Sequence, residues 1–368
     1  MSDTQFHPLA ISQIKTETDD TVSLYFAIPE DLTETYKYTQ GQYLTLRFTI
    51  NGQEVRRAYS MSSSPLEPHL AVTVKRVTGG LVSNYIHDQL KAGDEVDVMP
   101  PQGRFYTKLD PAQRKTYYLF GAGSGITPLM SILKTTLEAE GQSSIHLLYG
   151  SRQDDQIIFY EELEALTQRY EGQLTVTYIV SQPRLEKAGG IGGWFKKGIP
   201  SWAGPTGRID AVALDRFLDE YPAKGSGAEY FICGPGAMID TVEANLVEHG
   251  INKKQIHAER FVNAADVAAS KATGGVGAGE VKVHLRGESI SLNVPAGKTI
   301  LEALLDAKHD APYSCMAGAC STCMAKVVTG KVRMDVCYAL DEDEVAKGYV
   351  LACQSHPEGG PVELTFDV

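Results

Sequence analysis

A chain of 368 residues is too long for one ordinary core, so two or three domains are expected. With 43% hydrophobic and 22% charged residues it has a soluble globular composition, and its longest apolar runs fall far short of a membrane span. A net charge of −12 counts against nucleic acid and anionic membrane surfaces as partners, and nothing at the N-terminus has a signal-peptide pattern, so a reducing cytoplasm is expected.

Residues 1–110 open with a polar stretch. The strand-like segments TVSLYFAI, QYLTLRFTI, HLAVTVKRV and DEVDVMP follow, divided by turn residues at Gly41, Asn51-Gly52 and Gly93-Asp94. Asn51-Gly52 is a hairpin signal in its own right. Several short strands with a single helical segment, LVSNYIHDQL, predict a small antiparallel β-barrel. Within it lies RRAYSMSSSP. Taken one at a time, Arg57 reads as a surface cation, Tyr59 as a half-buried strand aromatic and Ser60 as a turn former.

Together with the later GGLVS, the run Arg57-Ala58-Tyr59-Ser60 resembles the flavin signature of the ferredoxin–NADP reductase-like enzymes. The resemblance implies that Arg57 pairs with the flavin phosphate, as a guanidinium fork does well. It further implies that Tyr59 stacks on the isoalloxazine ring and that Ser60 hydrogen-bonds the ring nitrogen that accepts hydride. Gly80, Val82 and Ser83 then form a second phosphate contact, where Gly79-Gly80 admits the backbone and a helix N-terminus follows. Val74, Lys75 and Val77 occupy the strand whose backbone holds the flavin in that family. FAD is the expected flavin, with FMN the alternative.

From 111 to 262 the rhythm becomes strand–helix–strand: KTYYLF, ITPLMSILKTTLEAEG, SIHLLYG, FYEELEALTQRY, LTVTYIV. This predicts an α/β domain with a parallel sheet. Gly121, Gly123, Ser124, Gly125, Thr127 and Pro128 form a Gly-rich loop that follows a strand and opens a helix, the arrangement a pyrophosphate needs. The spacing is not the Rossmann fingerprint. It resembles the nicotinamide-dinucleotide loop of the same reductase family. After the second strand, YGSRQDD sets the coenzyme: Ser151 and Arg152 suit the extra phosphate of NADPH, whereas Asp154 and Asp155 suit the ribose hydroxyl of NADH. A solvated loop is the plain alternative, and the reading adopted is NADPH, with NADH left open.

YFICGPGAMID resembles the family's Cys-Gly-Pro segment, which implies Cys233 beside the nicotinamide with Gly234 and Pro235 shaping the loop; alone, Cys233 reads as a buried structural thiol. In HAERF, Glu259 and Phe261 match positions beside the flavin, so Ser60, Cys233 and Glu259 are the implied catalytic set. The segment 185–207 is a Gly-rich insertion with Trp194, Phe195, Trp202, Lys196 and Lys197, and reads equally as a docking patch for an acidic partner or as an unstructured excursion.

Residues 263–279 have linker composition, rich in Ala, Gly and Ser. From 280 to 368, strand–strand–helix precedes SCMAGACSTC, and LACQ comes near the end. Cys315, Cys320 and Cys323 on one loop, with Cys353 about thirty residues on, match the plant-type [2Fe–2S] spacing. A zinc site would show two short pairs, and a disulfide framework would need an oxidising compartment. The order of segments resembles the β-grasp (α+β) fold of plant-type ferredoxins. Cys337 is off the spacing and reads as a non-ligand. The acidic run Asp341–Glu344 reads as a helix N-terminus or as a docking face.

The order flavin, nicotinamide, ferredoxin resembles the reductase components of multicomponent oxygenases, and among them those of the phenylacetyl-CoA epoxidase type. It implies an NAD(P)H-dependent reductase that passes electrons through FAD and a [2Fe–2S] cluster to a partner oxygenase or hydroxylase. An electron carrier or redox sensor without nicotinamide turnover, or a reductase of a quinone or ferric chelate, are the alternatives.

Overall fold

The computed structural model describes residues 4–186, 199–261 and 277–368. The linker residues 263–276 and the insertion residues Trp194, Phe195, Lys196 and Lys197 lie outside them.

Alternation of apolar and polar residues builds the first sheet. Its strands are β1 (His7–Thr18), β2 (Thr21–Ala27), β3 (Tyr43–Ile50), β4 (Gln53–Ser60), β5 (Leu70–Lys75) and β6 (Glu95–Gln102), in the order β4-β3-β6-β1-β2-β5. A bridge between Met61 and Val72 returns β5 to the end of β4 and closes the barrel over Leu9, Leu24, Leu44, Leu46 and Val98. The opening segment is therefore a strand and not merely a polar lead-in. Leu9 and Ile11 face the core, and after them Ser12, Gln13, Lys15 and Thr16 are exposed to solvent. Asn51 and Gly52 both take positive φ, 53° and 77°, as the tight turn between β3 and β4 requires.

The second sheet is parallel: β7 (Thr116–Ala122), β8 (Ser144–Ser151), β9 (Leu174–Val180), β12 (Ala228–Gly234) and β13 (Ile256–Arg260), ordered β13-β12-β7-β8-β9. Near-continuous apolar runs such as TYYLFGA fit strands covered on both faces. Of its helices, α2 (Ile126–Ala139) is almost wholly buried and wedges against the barrel: Ser131 Oγ donates to Ser63 O at 2.6 Å and Thr135 Oγ1 to Ser64 Oγ at 2.9 Å. The insertion starts and ends on a short ribbon, β10 (Leu185–Glu186) with β11 (Ile199–Pro200), tied to Asp154 by Arg184 and Ser201. Trp202 packs edge-on against Tyr178 and donates to Pro205 O at 3.0 Å, so its indole belongs to the local packing.

The third sheet has β14 (Gly279–Leu285), β15 (Glu288–Val294), β16 (Met324–Met334), β17 (Tyr349–Leu351) and β18 (Ser355–Thr365) in the order β15-β14-β18-β16-β17, with β14 and β18 parallel. Helix α6 (Ile300–Asp306) crosses it, started by a Thr299/Glu302 capping box. The short α7 (Glu342–Ala346) begins with a second such box, Asp341/Glu344. The acidic run is therefore a helix start.

Candidate functional site

Strand β4 is two-sided. Successive side chains alternate, so Arg57 and Tyr59 share one face while Arg56 and Ser60 share the other. Arg57 is exposed, gives one N–H to Arg56 O at 2.7 Å and has no carboxylate partner among the described residues. Its neighbours Arg47 and Arg56 are both ion-paired. An unpaired guanidinium beside a ring whose hydroxyl is pushed well up by burial, that of Tyr59, suits an anionic, flat ligand. The second predicted contact converges on the same end of the barrel. Gly80 N bonds Val77 O at 2.8 Å and Val77 N bonds Ser83 Oγ at 3.1 Å, so 77–83 is one tight turn. A Cβ on Gly80 would sit 2.6 Å from Ser83 Oγ. Val74 and Val82 point into the core, and Lys75 pairs with Asp20, leaving backbone and the Ser83 hydroxyl to meet a ligand.

The coenzyme residues gather at the C-terminal ends of the parallel strands: 121–128 after β7, 151–152 after β8 and 233–235 after β12. They touch. A Cβ on Gly125 would lie 2.1 Å from Cys233 O, so only glycine lets the loop rest on that backbone. Gly123 has φ +55° and its carbonyl accepts from Tyr149 Oη at 3.1 Å. Thr127 Oγ1 donates to Ser124 O, and Pro128 lies in the first turn of α2. Ser151 Oγ bonds Gln153 O. Arg152 is exposed, with Nε on Gln182 Oε1 at 3.0 Å. The carboxylates beyond it are engaged: Asp154 bonds Arg184 at 2.8 Å, which holds its carboxyl well below the usual range, and Asp155 lies 3.1 Å from the same guanidinium. A cavity of about 370 Å³ lined by Lys115, His146 and Lys224 sits at the opposite end of the strands, away from these loops.

Between barrel and parallel sheet the implied catalytic set comes together. Cys233 and Glu259 are register partners on β12 and β13, and Ser60 Oγ donates to Glu259 Oε2 at 3.0 Å across the cleft. Burial raises the Glu259 carboxyl to about 7, against the lowering effect of the Ser60 hydrogen bond. Burial and the Glu259 charge together push the wholly enclosed Cys233 thiol well up. Phe261 stands exposed at the end of the described segment.

The cluster cysteines meet at one edge of the third sheet. Cys315 touches Cys320 and Cys353, and Cys353 touches Cys323. Ala317 N–H points at Cys315 Sγ at 3.4 Å, Cys315 N–H at Cys320 Sγ at 3.5 Å, and Gln354 Nε2 at Cys353 Sγ at 3.7 Å. Contact with Cys315, then burial, holds the Cys320 thiol well above its ordinary range. No group of three or more ligating side chains among the described residues closes on a single ion. Four crowded thiols in pairs, ringed by N–H donors, fit a two-iron group that makes them thiolates. Cys337 is half-buried and faces Leu340 O instead.

Family models match in chain order. The oxidoreductase FAD-binding domain covers 8–106, the oxidoreductase NAD-binding domain 119–244 and the 2Fe-2S iron-sulfur cluster binding domain 283–358. The chain is 36% identical over 367 residues to a component of the 1,2-phenylacetyl-CoA epoxidase of Escherichia coli (strain K12), covering 99% of this chain and 98% of that one. The chain belongs to this family of iron–sulfur flavoprotein reductases. The ferredoxin reductase component of 3-ketosteroid-9-alpha-monooxygenase from Rhodococcus rhodochrous is 35% identical, covering 97% and 96% of the two chains. Phthalate dioxygenase reductase shares the fold, with TM-score 0.57, 24% identity and 98% coverage of both chains. The reductase is thus an oxidoreductase of ferredoxin-reductase type with FAD-binding, NAD-binding and 2Fe-2S domains. None of its helices among the described residues is long and apolar enough to cross a membrane.

Not anticipated from the sequence are the residues that join the third sheet to the barrel and to the parallel-sheet domain. Arg56, only 6% exposed, bonds Asp310 at 3.3 Å and lies 4.2 Å over the Tyr313 ring. Tyr43 Oη and Thr322 Oγ1 are hydrogen-bonded at 2.8 Å. Arg104 pairs with Glu344, and Lys253 reaches Glu342 at 3.8 Å. The Arg56-Arg57 doublet, taken with strand alternation, is the signal that could have found the first of these: two adjacent cations on a strand must serve opposite faces.

Proposed function

We propose that the reductase takes hydride from NAD(P)H and delivers single electrons to a protein acceptor, an oxygenase or hydroxylase component of the kind its relatives are named for, the phenylacetyl-CoA epoxidase type being favoured. Hydride acceptance and one-electron release are the chemistry a bound FAD supplies, and one-electron carriage that of a [2Fe–2S] cluster. Residues 1–110 are taken as the flavin domain, 111–262 as the nicotinamide domain, 263–279 as the linker and 280–368 as the ferredoxin domain. Arg57, Tyr59 and the 77–83 turn hold the flavin, with Ala58 spacing the two side chains. The 121–128 loop and the Cys233-Gly234-Pro235 segment hold the coenzyme. Cys315, Cys320, Cys323 and Cys353 ligate iron.

One observation carries the reading: Ser60, Glu259 and Cys233 meet in the cleft between barrel and parallel sheet, while the cysteine loop rests on the same β3–β4 hairpin that supplies Ser60. Each hydride brings a proton that must leave when its electrons do. Ser60 Oγ already donates to Glu259 Oε2, so Glu259 in its ionised form is placed to accept a proton relayed through the Ser60 hydroxyl, which would take up another as it gives its own. Arg152, free of the carboxylates that Arg184 engages, supports NADPH as coenzyme.

The test is anaerobic mixing of the purified chain with NADPH and with NADH, followed by addition of an epoxidase or hydroxylase component. Bleaching of flavin and then cluster absorbance, with oxygenase turnover, is the expected result. A flavin band that stays unchanged with both coenzymes sinks the reading. Arg152→Asp should erode a preference for NADPH.

A further inference from the structure

We propose that Tyr43 is a positioning residue for electron transfer to the cluster, clamping the cysteine loop onto the flavin site and adding a hydrogen-bond donor to the cluster's sulfur shell. The inference rests on the reading that the four cysteines hold a [2Fe–2S] group.

Tyr43 starts β3 directly opposite Ser60 in β4. Directly paired residues on antiparallel strands project from the same face with Cβ atoms about 5 Å apart. One cross-strand pair therefore reaches two places: Ser60 turns to Glu259 in the coenzyme cleft, and Tyr43 turns to the ferredoxin sheet. The Tyr43 ring is 5% exposed and its hydroxyl is hydrogen-bonded at 2.8 Å to Thr322, a residue 8% exposed that lies between ligands Cys320 and Cys323. The backbone N–H of Thr322 is directed at the Cys320 sulfur, and the Tyr43 hydroxyl lies within reach of that same sulfur. Either hydroxyl of the Tyr43–Thr322 pair can donate to the other, so the remaining proton is available to sulfur.

Room for the ring is built in. Gly103, at φ +112°, would place a Cβ 2.9 Å from Tyr43 Cδ1, so that position accepts no side chain while the ring stays where it is. Burying a tyrosine hydroxyl without partners is costly, and this one is spent wholly on the loop of another domain. Hydrogen bonds to cluster sulfurs stabilise the more negative, reduced state and raise the potential.

Tyr43→Phe keeps the ring and deletes the hydroxyl. In the holoprotein, an anaerobic redox titration followed by electron paramagnetic resonance should show the cluster potential shifted to more negative values. The single-turnover rate of cluster reduction after NADPH mixing should fall roughly fivefold, the worth of one hydrogen bond of about 1 kcal/mol. Thr322→Val should shift the potential in the same direction, and Thr322→Ser should restore it. The double variant should add little to either single change, because both delete one bond. An unchanged potential in Tyr43→Phe and Thr322→Val, or additive shifts in the double variant, overturns the proposal. A wild-type chain that takes up no iron overturns both this inference and the functional reading beneath it. A cluster present but indifferent to Tyr43 overturns this inference alone.

Discussion

The flavin barrel meets its two neighbours through contacts of opposite character. Toward the parallel-sheet domain it uses chiefly hydroxyls, Ser131 to Ser63 and Thr135 to Ser64 along a helix buried on nearly every side and Ser60 to Glu259 on β13, with one ion pair, Lys134 to Glu67 at 2.9 Å. Toward the ferredoxin sheet the barrel's contacts are mainly charges and rings, Arg56 with Asp310 and Tyr313 and Arg104 with Glu344, beside the buried Tyr43–Thr322 hydrogen bond; Lys253 with Glu342 and Arg260 over Tyr338 at 5.2 Å come from the parallel-sheet domain. Short hydrogen bonds in a buried seam are little affected by salt and costly to break one by one. Ion pairs at a partly exposed seam are screened within about 10 Å at 0.1 M salt and contribute little each. The first junction is the less sensitive to salt. The second is the more open to it, apart from the buried Tyr43–Thr322 bond that holds the cysteine loop.

The largest effect should come from the junction with the parallel sheet. Burial holds the Glu259 carboxyl at about 7, so its carboxylate, the form that can accept a proton relayed through Ser60, is filled as pH rises through that value. Turnover with a one-electron acceptor should rise across the same window. Glu259→Gln should flatten the profile and lower the plateau roughly 100-fold, the usual worth of a positioned proton acceptor; a pH–rate series on both forms checks this. Next, Arg56→Ala should loosen ferredoxin docking by about 1–3 kcal/mol, since it removes an ion pair and a cation–π contact together. Small-angle scattering should report a larger radius, growing further with salt. Ser131→Val should cost a similar amount, about 1–3 kcal/mol, by leaving the Ser63 carbonyl without its donor. There the loss should appear in thermal denaturation and be the same at low and high salt. A salt-dependent loss at Ser131 would erase the distinction between the two junctions. Smallest of all, Glu344→Gln and Lys253→Ala should each shift docking by less than about 1 kcal/mol, with the effect vanishing at high salt.

What could be read from sequence were features whose chemistry is local. The spacing of Cys315, Cys320, Cys323 and Cys353 and the glycine loop at 121–125 are visible because a cluster loop or a phosphate turn needs those residues within a few positions of one another. The alternation of strands and helices from 111 on is visible for the same reason. Tyr43 and Thr322 stayed hidden because each acquires meaning only from a residue 279 positions away. Asp154 and Asp155 left the coenzyme choice open on paper. In the fold both turn toward Arg184, a pairing that depends on how the insertion leaves and rejoins the sheet. The twelve-residue first strand was obscured by its own outer face, where polar residues outnumber apolar ones.

The turn at Asn51-Gly52 sets the register of the whole β3–β4 pair. With strand β3 held on its other side by β6, that turn alone counts off how far β4 has advanced when it passes each position of its neighbour. One residue added there would carry every later side chain of β4 through to the opposite face. Arg57 would then confront the ferredoxin sheet and Arg56 the face that Arg57 now holds, and Ser60 would no longer stand across from Tyr43. A two-residue loop in left-handed conformation thus acts as a counting device, and its length decides whether the two electron-handling sites share one hairpin at all.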